Sequence, residues 1–284
     1  MKITPYETVI GARVEGLGLT APPDLAEVHA LEAALELHGV LLFRDQRASP
    51  AQQVAFTGAF GPLAPTEEAD ARLPDQPEIF VVGNVGDHPV IFSSPEPDGP
   101  LEWHTDHSHR KEAARASLLY ALEVPPAGGD TLFACMYSAY DSLPPKRQAL
   151  CDGLRLIHSA SGLRDFIEEQ GIAPTAAKRT TVPDPPVERP LVRRHPLTGR
   201  KALYFGSRVS VAIVGWPDND ARAFIAELTE HACQEAFQYR HSWRAGDALF
   251  WDNRRLLHAG TPYDTQGTVR LMHRTTLRET EPIR

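Results

Sequence analysis

The apolar runs that read as strands in this sequence are short, numerous and divided by turn residues, without the regular strand–helix alternation that a parallel sheet needs. Val40-Leu41-Leu42-Phe43 is a buried strand, and Glu78 to Val82, Ala116 to Val124, Thr131 to Cys135 and Thr268 to Leu277 read as further strands. Tyr239 to Trp243 and Ala248 to Trp251, joined by a turn at Arg244 to Asp247, read as a hairpin. The 25 prolines and 20 glycines punctuate these runs, as in Pro125-Pro126-Ala127-Gly128-Gly129-Asp130 ahead of Thr131. Three helices decorate them. The first, from Asp24 to His38, places Leu25, Val28, Leu31, Ala34 and Leu35 at helical spacing, and Gly39 closes it. In the second, Ser49, Pro50 and Gln52 supply the N-cap, first-turn proline and capping-box residue for an inner face of Val54, Phe56 and Phe60. The third, Pro217 to Phe237, carries Ala221, Phe224, Ile225, Leu228 and Ala232, with Asp218 available as a cap. The pattern predicts a mainly β sandwich or jelly roll with helical decoration, as one domain over residues 1–284.

Charge narrows the partners. Twenty-nine basic against 37 acidic residues give a net charge of -8, which argues against a general nucleic-acid or anionic-membrane surface. The opening MKITPYETVI has no basic region leading into an apolar core, and no run approaches a membrane span, so a cytoplasmic protein is expected. Cys135, Cys151 and Cys233 are odd in number and lack a C-x-x-C pair, which fits reduced, buried thiols.

The chemistry centres on Trp103-His104-Thr105-Asp106. Residues i and i+2 of an extended segment share a face, about 6 to 7 Å apart, so one imidazole and one carboxylate can converge on one ion. With 12 histidines in the chain, chance alone supplies about one such spacing, and a third ligand must come from elsewhere. A second histidine would complete the two-His-one-carboxylate face of non-heme Fe(II) oxygenases. His107 and His109 offer an alternative pair. On the last strand Arg270 and Arg274 share a face about 13 Å apart with Met272 between them, so that face is either solvated or lines a cavity that binds anions. His273 has the opposite parity and is expected to face away.

Val40 to Arg44, the helix from Gln52 to Pro62, His104-Thr105-Asp106, Gly128 to Thr131, His195-Pro196, Gly246-Asp247, Trp251 to Arg254, His258 and Arg270 to Arg274 occur in one order along the chain. Together they resemble the taurine/2,4-dichlorophenoxyacetate dioxygenase family, nearer its aryloxyacetate-degrading members. The resemblance implies a double-stranded β-helix, cupin-like core and dependence on Fe(II), 2-oxoglutarate and O2. It implies that His104, Asp106 and His258 hold Fe(II), that Thr131 and Arg270 bind the distal carboxylate of 2-oxoglutarate, and that Arg274 grips a small anionic substrate. The implied reaction couples oxidative decarboxylation of 2-oxoglutarate, to succinate and CO2, to substrate hydroxylation. An aryloxyalkanoate-like carboxylate is the favoured substrate; a sulfonate or alkyl sulfate is the alternative. A metal-dependent hydrolase and a non-catalytic anion-binding barrel are the readings of another class. A homo-oligomer is expected.

The remaining segments carry less signal. Residues 83–101 form a candidate lid, with Asn84, His88, Ser93 and Ser94 as polar candidates, and residues 164–190 form a long excursion. In the family, the lid region and the segment from Leu63 to Ala71 shape the substrate pocket. Core packing is the expected role of Trp251, with the co-substrate pocket as the other possibility. His158, His195 and His241 are expected to be structural, and Arg254 and Arg255 to be surface charges or partners of nearby acids.

Overall fold

In a computed structural model of the chain, residues 1–66, 71–86, 91, 93, 99–162 and 185–283 are described. His88, Ser94 and residues 164–184 of the expected excursion lie outside them. The first half runs β1 (Lys2–Pro5), β2 (Ala12–Glu15), α1 (Leu25–His38), β3 (Val40–Phe43), α2 (Pro50–Gly58), β4 (Arg72–Leu73), β5 (Gln76–Gly83), β6 (Ala114–Glu123) and β7 (Thr131–Cys135). It continues through α3 (Met136–Asp141), α4 (Pro145–Gly153), β8 (Arg155–His158), β9 (Val187–Pro190), β10 (Val192–Arg194), β11 (Lys201–Leu203) and β12 (Ser210–Ile213). The chain then forms α5 (Asp218–Ala232), β13 (Gln238–His241), β14 (Ala248–Asp252), β15 (Leu256–Gly260) and β16 (Leu271–Arg278). The eight-stranded sheet has the order β1-β2-β3-β14-β6-β16-β5-β4 and is antiparallel except where β2 meets β3. A small sheet, β13-β7-β15, completes the mainly β jelly-roll core, and the three-stranded sheet β12-β8-β9 and the pair β10-β11 lie outside it.

Pleat parity builds two cores from one sheet. Val40, Leu42, Leu119, Ala121, Leu249, Trp251 and Met272 join Phe133 and Leu257 of the small sheet in one cluster. Their strand neighbours Leu41, Phe43, Leu118, Tyr120, Ala248 and Phe250 join Leu31 and Leu35 of α1 and Phe56 of α2 in the other. Each strand is therefore buried on both faces, which explains the unbroken apolar runs. Among the described residues, no helix is long and apolar enough to cross a membrane. All three cysteines are unpaired, Cys135 and Cys151 buried and Cys233 partly so.

The caps of α1 and α2 form as expected: Asp24 and Ser49 each make a full capping box, with Glu27 and Gln52. Four local expectations change. The inner face of α2 is Gln53, Phe56 and Thr57 rather than Val54, because the helix docks by polar contacts: Gln53 Nε2 donates to His273 O at 3.0 Å, and Thr57 and Thr275 hydroxyls lie 2.8 Å apart. The third helix stops at Ala232, followed by a 3-10 turn, and Asp218 makes no side-chain cap; its charge still suits the helix N-terminus. β13 and β14 are not a hairpin. β13 pairs with β7, whereas β14 pairs with β3 and β6, so the turn carries the chain between sheets. Asp247 fixes that crossing by accepting from Arg44 at 2.6 Å, His241 at 3.1 Å and the Arg244 amide at 3.0 Å. Finally, Arg254 and Arg255 are buried and not surface charges, and Arg254 takes the other expected role, partner of a nearby acid. Arg254 pairs with Asp252 (2.7 Å), which His195 also meets at 3.0 Å, and Arg255 donates to the Glu36 carbonyl. The described end of the excursion is strand β9, paired with β8.

His158, on β8, stacks on Tyr204 at 5.9 Å, and burial, reinforced by Arg189, lowers its pKa to about 3. The folded chain keeps it neutral while the unfolded chain protonates it near pH 6.5, so stability falls as pH drops from about 6.5 toward 3, by at most about 1.4 kcal/mol per pH unit from this group. His158→Gln should therefore flatten the acid side of a denaturation-midpoint-versus-pH curve; an unchanged slope would contradict this.

Candidate active site

His104 and His258 are joined by backbone hydrogen bonds in both directions, His104 N to His258 O at 3.0 Å and His258 N to His104 O at 2.8 Å. This isolated bridge ties the loop before β6 to β15 and sets the two rings 4.2 Å apart. The motif is not a continuous strand: only His104 is in the bridge, and Asp106 lies in the turn that follows. Convergence therefore comes from that turn and not from the pleat. Asp106 Oδ1 lies 4.0 Å from His104 Nε2 and 3.9 Å from His258 Nε2, and the donor atoms of the three residues all lie within 4.8 Å of one another. His107 and His109 do not join this group.

The donor set suits a metal ion. His104 Nδ1 lies 3.0 Å from the Glu102 carbonyl, which takes its N–H and leaves the Nε2 lone pair toward the centre. Burial, reinforced by His104, lowers His258 to about 3, so its imidazole is neutral and able to ligate. Burial would raise the Asp106 carboxyl, but Arg274 and the two histidines outweigh it and hold the group ionised well below the usual carboxylate range. Ser117 donates to Asp106 Oδ2 at 2.6 Å, and Arg274 Nη1 donates to Oδ1 at 2.6 Å. Two imidazoles and one carboxylate leave positions open on the side that faces the pocket.

That pocket encloses about 580 Å³, counted to its open mouth, and brings together His104, His258, Thr131, Trp251, Tyr263, Arg270 and Arg274. Trp251 thus both lines the pocket and packs in the core. The two arginines differ. Arg274 is paired with Asp106 and lies 4.7 Å from the Phe80 ring centre. Arg270 is 8% exposed; among the described residues no carboxylate pairs with it, and its Nε has no hydrogen-bond partner. Burial lowers its pKa to about 10, against the opposing effect of Tyr263, so it stays charged at neutral pH. A buried cation without an anion needs a ligand that brings one. Thr131 accepts from Trp243 Nε1 at 2.9 Å.

Among the polar candidates of the lid, Ser93 lines the pocket with its hydroxyl unpartnered, whereas Asn84 is spent on backbone. Asn84 accepts from the Arg270 amide at 2.7 Å and donates to the Thr265 and Thr268 carbonyls. His273 does not line the pocket. Sequence reasoning missed Ser117, Asn253 and Tyr263. The parity of β6 offered a signal for Ser117, a hydroxyl on the face shared by Leu119 and Ala121.

An open two-histidine, one-carboxylate face on a jelly roll, beside a guanidinium that needs an acidic ligand, marks out the non-heme iron oxygenases. The family model described as "Taurine catabolism dioxygenase TauD, TfdA family" matches residues 2–276. An alpha-ketoglutarate-dependent 2,4-dichlorophenoxyacetate dioxygenase from Cupriavidus pinatubonensis is 38% identical, over 96% of each chain. An (S)-phenoxypropionate/alpha-ketoglutarate-dioxygenase from Sphingobium herbicidovorans is 34% identical over 92% of this chain and 90% of its own. The crystal structure of AAD-2 in complex with Mn(II) and N-oxalylglycine superposes with a TM-score of 0.81 at 32% identity, covering 99% of this chain and 98% of that one. The chain belongs to the TauD, TfdA family. It is a 2-oxoglutarate-dependent non-heme iron dioxygenase that uses Fe(II), 2-oxoglutarate and O2, and the hydrolase and binding-barrel readings fall away.

Because Arg270 is a buried charge with no carboxylate partner among the described residues, Arg270→Met in ligand-free protein should unfold at the parent's temperature or above it, a gain of about 0 to 3 kcal/mol. A drop of several degrees in a thermal melt would show that the guanidinium has a structural partner.

Proposed function

We propose that this enzyme hydroxylates a small aryloxyalkanoate-like carboxylate, with Fe(II) held by His104, Asp106 and His258. The observation that carries the reading is the unpaired Arg270 guanidinium lining one pocket with both histidines. The names of the relatives, for 2,4-dichlorophenoxyacetate and (S)-phenoxypropionate, support the substrate class. The apolar wall of Val82, Ile91 and Leu119 beside Arg274 suits an aromatic ring that carries a carboxylate. When bound, Fe(II) supplies the redox chemistry that couples decarboxylation of 2-oxoglutarate to hydroxylation.

The protein's residues do the rest. Arg270 and Thr131 grip the distal carboxylate of 2-oxoglutarate. The Trp243 indole is donor-only, so Thr131 Oγ1 accepts from it and the threonine keeps its own proton for the anion. Arg274 takes the substrate carboxylate through the guanidinium edge not spent on Asp106. Trp251 and Tyr263 shield the pocket from water. Hydroxylation at a carbon that bears the ether oxygen gives a hemiacetal that collapses and releases a phenol. The proposal takes residues 1–284 as one catalytic domain of a cytoplasmic homo-oligomer, which cell fractionation and light scattering test.

Anaerobic addition of Fe(II) and 2-oxoglutarate should give a metal-to-ligand charge-transfer band that needs both and vanishes in Asp106→Ala. No band and no succinate formation would sink the assignment. Arg274→Ala should lose primary-substrate turnover far more than 2-oxoglutarate affinity, and Arg270→Ala the reverse; equal losses in both variants would contradict the division of labour. A succinate-release screen over aryloxyalkanoates, sulfonates and alkyl sulfates identifies the substrate, and turnover confined to the sulfur compounds would overturn the carboxylate reading.

A further inference from the structure

Asp106 has two oxygens, and the structure gives them different neighbours. Oδ1 faces the two histidine Nε2 atoms at 4.0 and 3.9 Å and accepts from Arg274 Nη1 at 2.6 Å, while Oδ2 lies 2.6 Å from Ser117 Oγ. The direction of that second bond is fixed by what lies behind it. The Trp251 indole, a pure donor, lies 2.9 Å from Asn253 Oδ1, and the Asp106 amide approaches the same oxygen at 3.4 Å. The other end of the Asn253 amide is therefore its NH2 group, 2.9 Å from Ser117 Oγ. Since an amide nitrogen can only donate, Ser117 accepts there and directs its single proton to Asp106 Oδ2.

The relay is built into the fold. Ser117 and Asn253 are fully buried, and Ser117 stands opposite Trp251 in the β6–β14 register. Asn253 sits between Asp252 and Arg254, whose buried pair holds the turn, and its carbonyl accepts from Thr105 Oγ1 at 2.7 Å. The turn after β14 and the His-x-Asp motif are thus fastened to each other on both main chain and side chain.

We propose that Ser117 and Asn253 are positioning residues that hold Asp106 to coordination through one oxygen. This rests on the reading of Asp106 as a metal ligand. A two-histidine, one-carboxylate face leaves three of six positions open, two for the keto acid and one for O2. A carboxylate that swung to bind through both oxygens would close one of the three. With Oδ2 engaged by the Ser117 hydroxyl, that swing costs a charge-assisted hydrogen bond in a buried site. The relay therefore guards the coordination position on which O2 chemistry depends.

The test uses the full-length protein freed of metal and titrated with Co(II), whose visible absorption weakens as its coordination number rises. Ser117→Ala should bind Co(II) about tenfold or more weakly, the range seen when a group that orients a ligand is removed, and should show a changed band intensity. Ser117→Thr, which keeps the hydroxyl, should stay within about threefold of the parent. Asn253→Asp should behave like Ser117→Ala, because a carboxylate there accepts the serine proton and turns it away from Asp106. Thermal melts of the metal-free variants separate misfolding from weakened ligation. If Ser117→Ala matches the parent in affinity and spectrum while Asp106→Ala loses the metal, the relay is overturned and the metal assignment stands. If Asp106→Ala also binds as the parent does, the metal assignment fails and takes the relay with it.

Discussion

Two backbone hydrogen bonds between His104 and His258 hold the centre of this molecule together. They join a loop, which has no ladder of its own, to β15 of the small sheet, and they do so at the two residues whose imidazoles must meet. A side-chain contact could be lost to a rotamer change, but a reciprocal main-chain bridge cannot slip without breaking both bonds. The remaining geometry follows from it. Asp106 sits two residues beyond the bridge in a turn, Ser117 reaches it from β6, and the turn after β14 closes the other side.

Among the described residues buried charge mostly follows one rule, from which Arg255, which donates to the Glu36 carbonyl, and Arg270 depart. Arg254 has Asp252, Arg193 has Glu279 at 3.0 Å, and Arg274 has Asp106. Each pair meets the requirement that a desolvated guanidinium find an anion, and each ties segments together that the strands alone do not. Arg270 departs from the rule within the same pocket. Natural chains tolerate such a charge where a ligand completes it, so stability and function oppose each other at this residue.

Much of this was legible in the sequence because it rests on short-range rules. The caps of α1 and α2, the bounds of β3 and β7, and the parity that separates His273 from Arg274 all follow from a few neighbouring residues. The three residues that converge at the metal centre were readable only through the order of motifs along the chain, since His258 lies 154 positions beyond His104. Three of the failures share one cause. The apparent hairpin at Arg244 to Asp247 has a hairpin's turn chemistry, yet its strands enter different sheets because Asp247 is held by Arg44 and His241. Gln53 and Thr57 look like surface residues until β16 supplies their partners. Ser117 looks like an interruption in an apolar strand until Asp106 arrives from outside it. In each of these three a polar side chain has a partner distant in sequence.

The charges of the site also bear on which substrate it suits. Asp106 contributes one negative charge and Arg270 and Arg274 two positive ones, while ligating imidazoles are neutral. Counting these three groups alone, the protein presents one net positive charge, and bound Fe(II) would raise this to three. The dianion of 2-oxoglutarate would return it to one, and a monoanionic substrate, which we propose sits on Arg274, would bring the pocket to neutrality. Residual charge in a poorly solvated space is costly, so the balanced state is the complex with both organic anions in place. On this count a neutral substrate would leave one positive charge in the pocket uncompensated. A dianion would overshoot. That balance supports a monocarboxylate as the primary substrate, and it gives the enzyme a physical reason to fill both anion sites before O2 arrives.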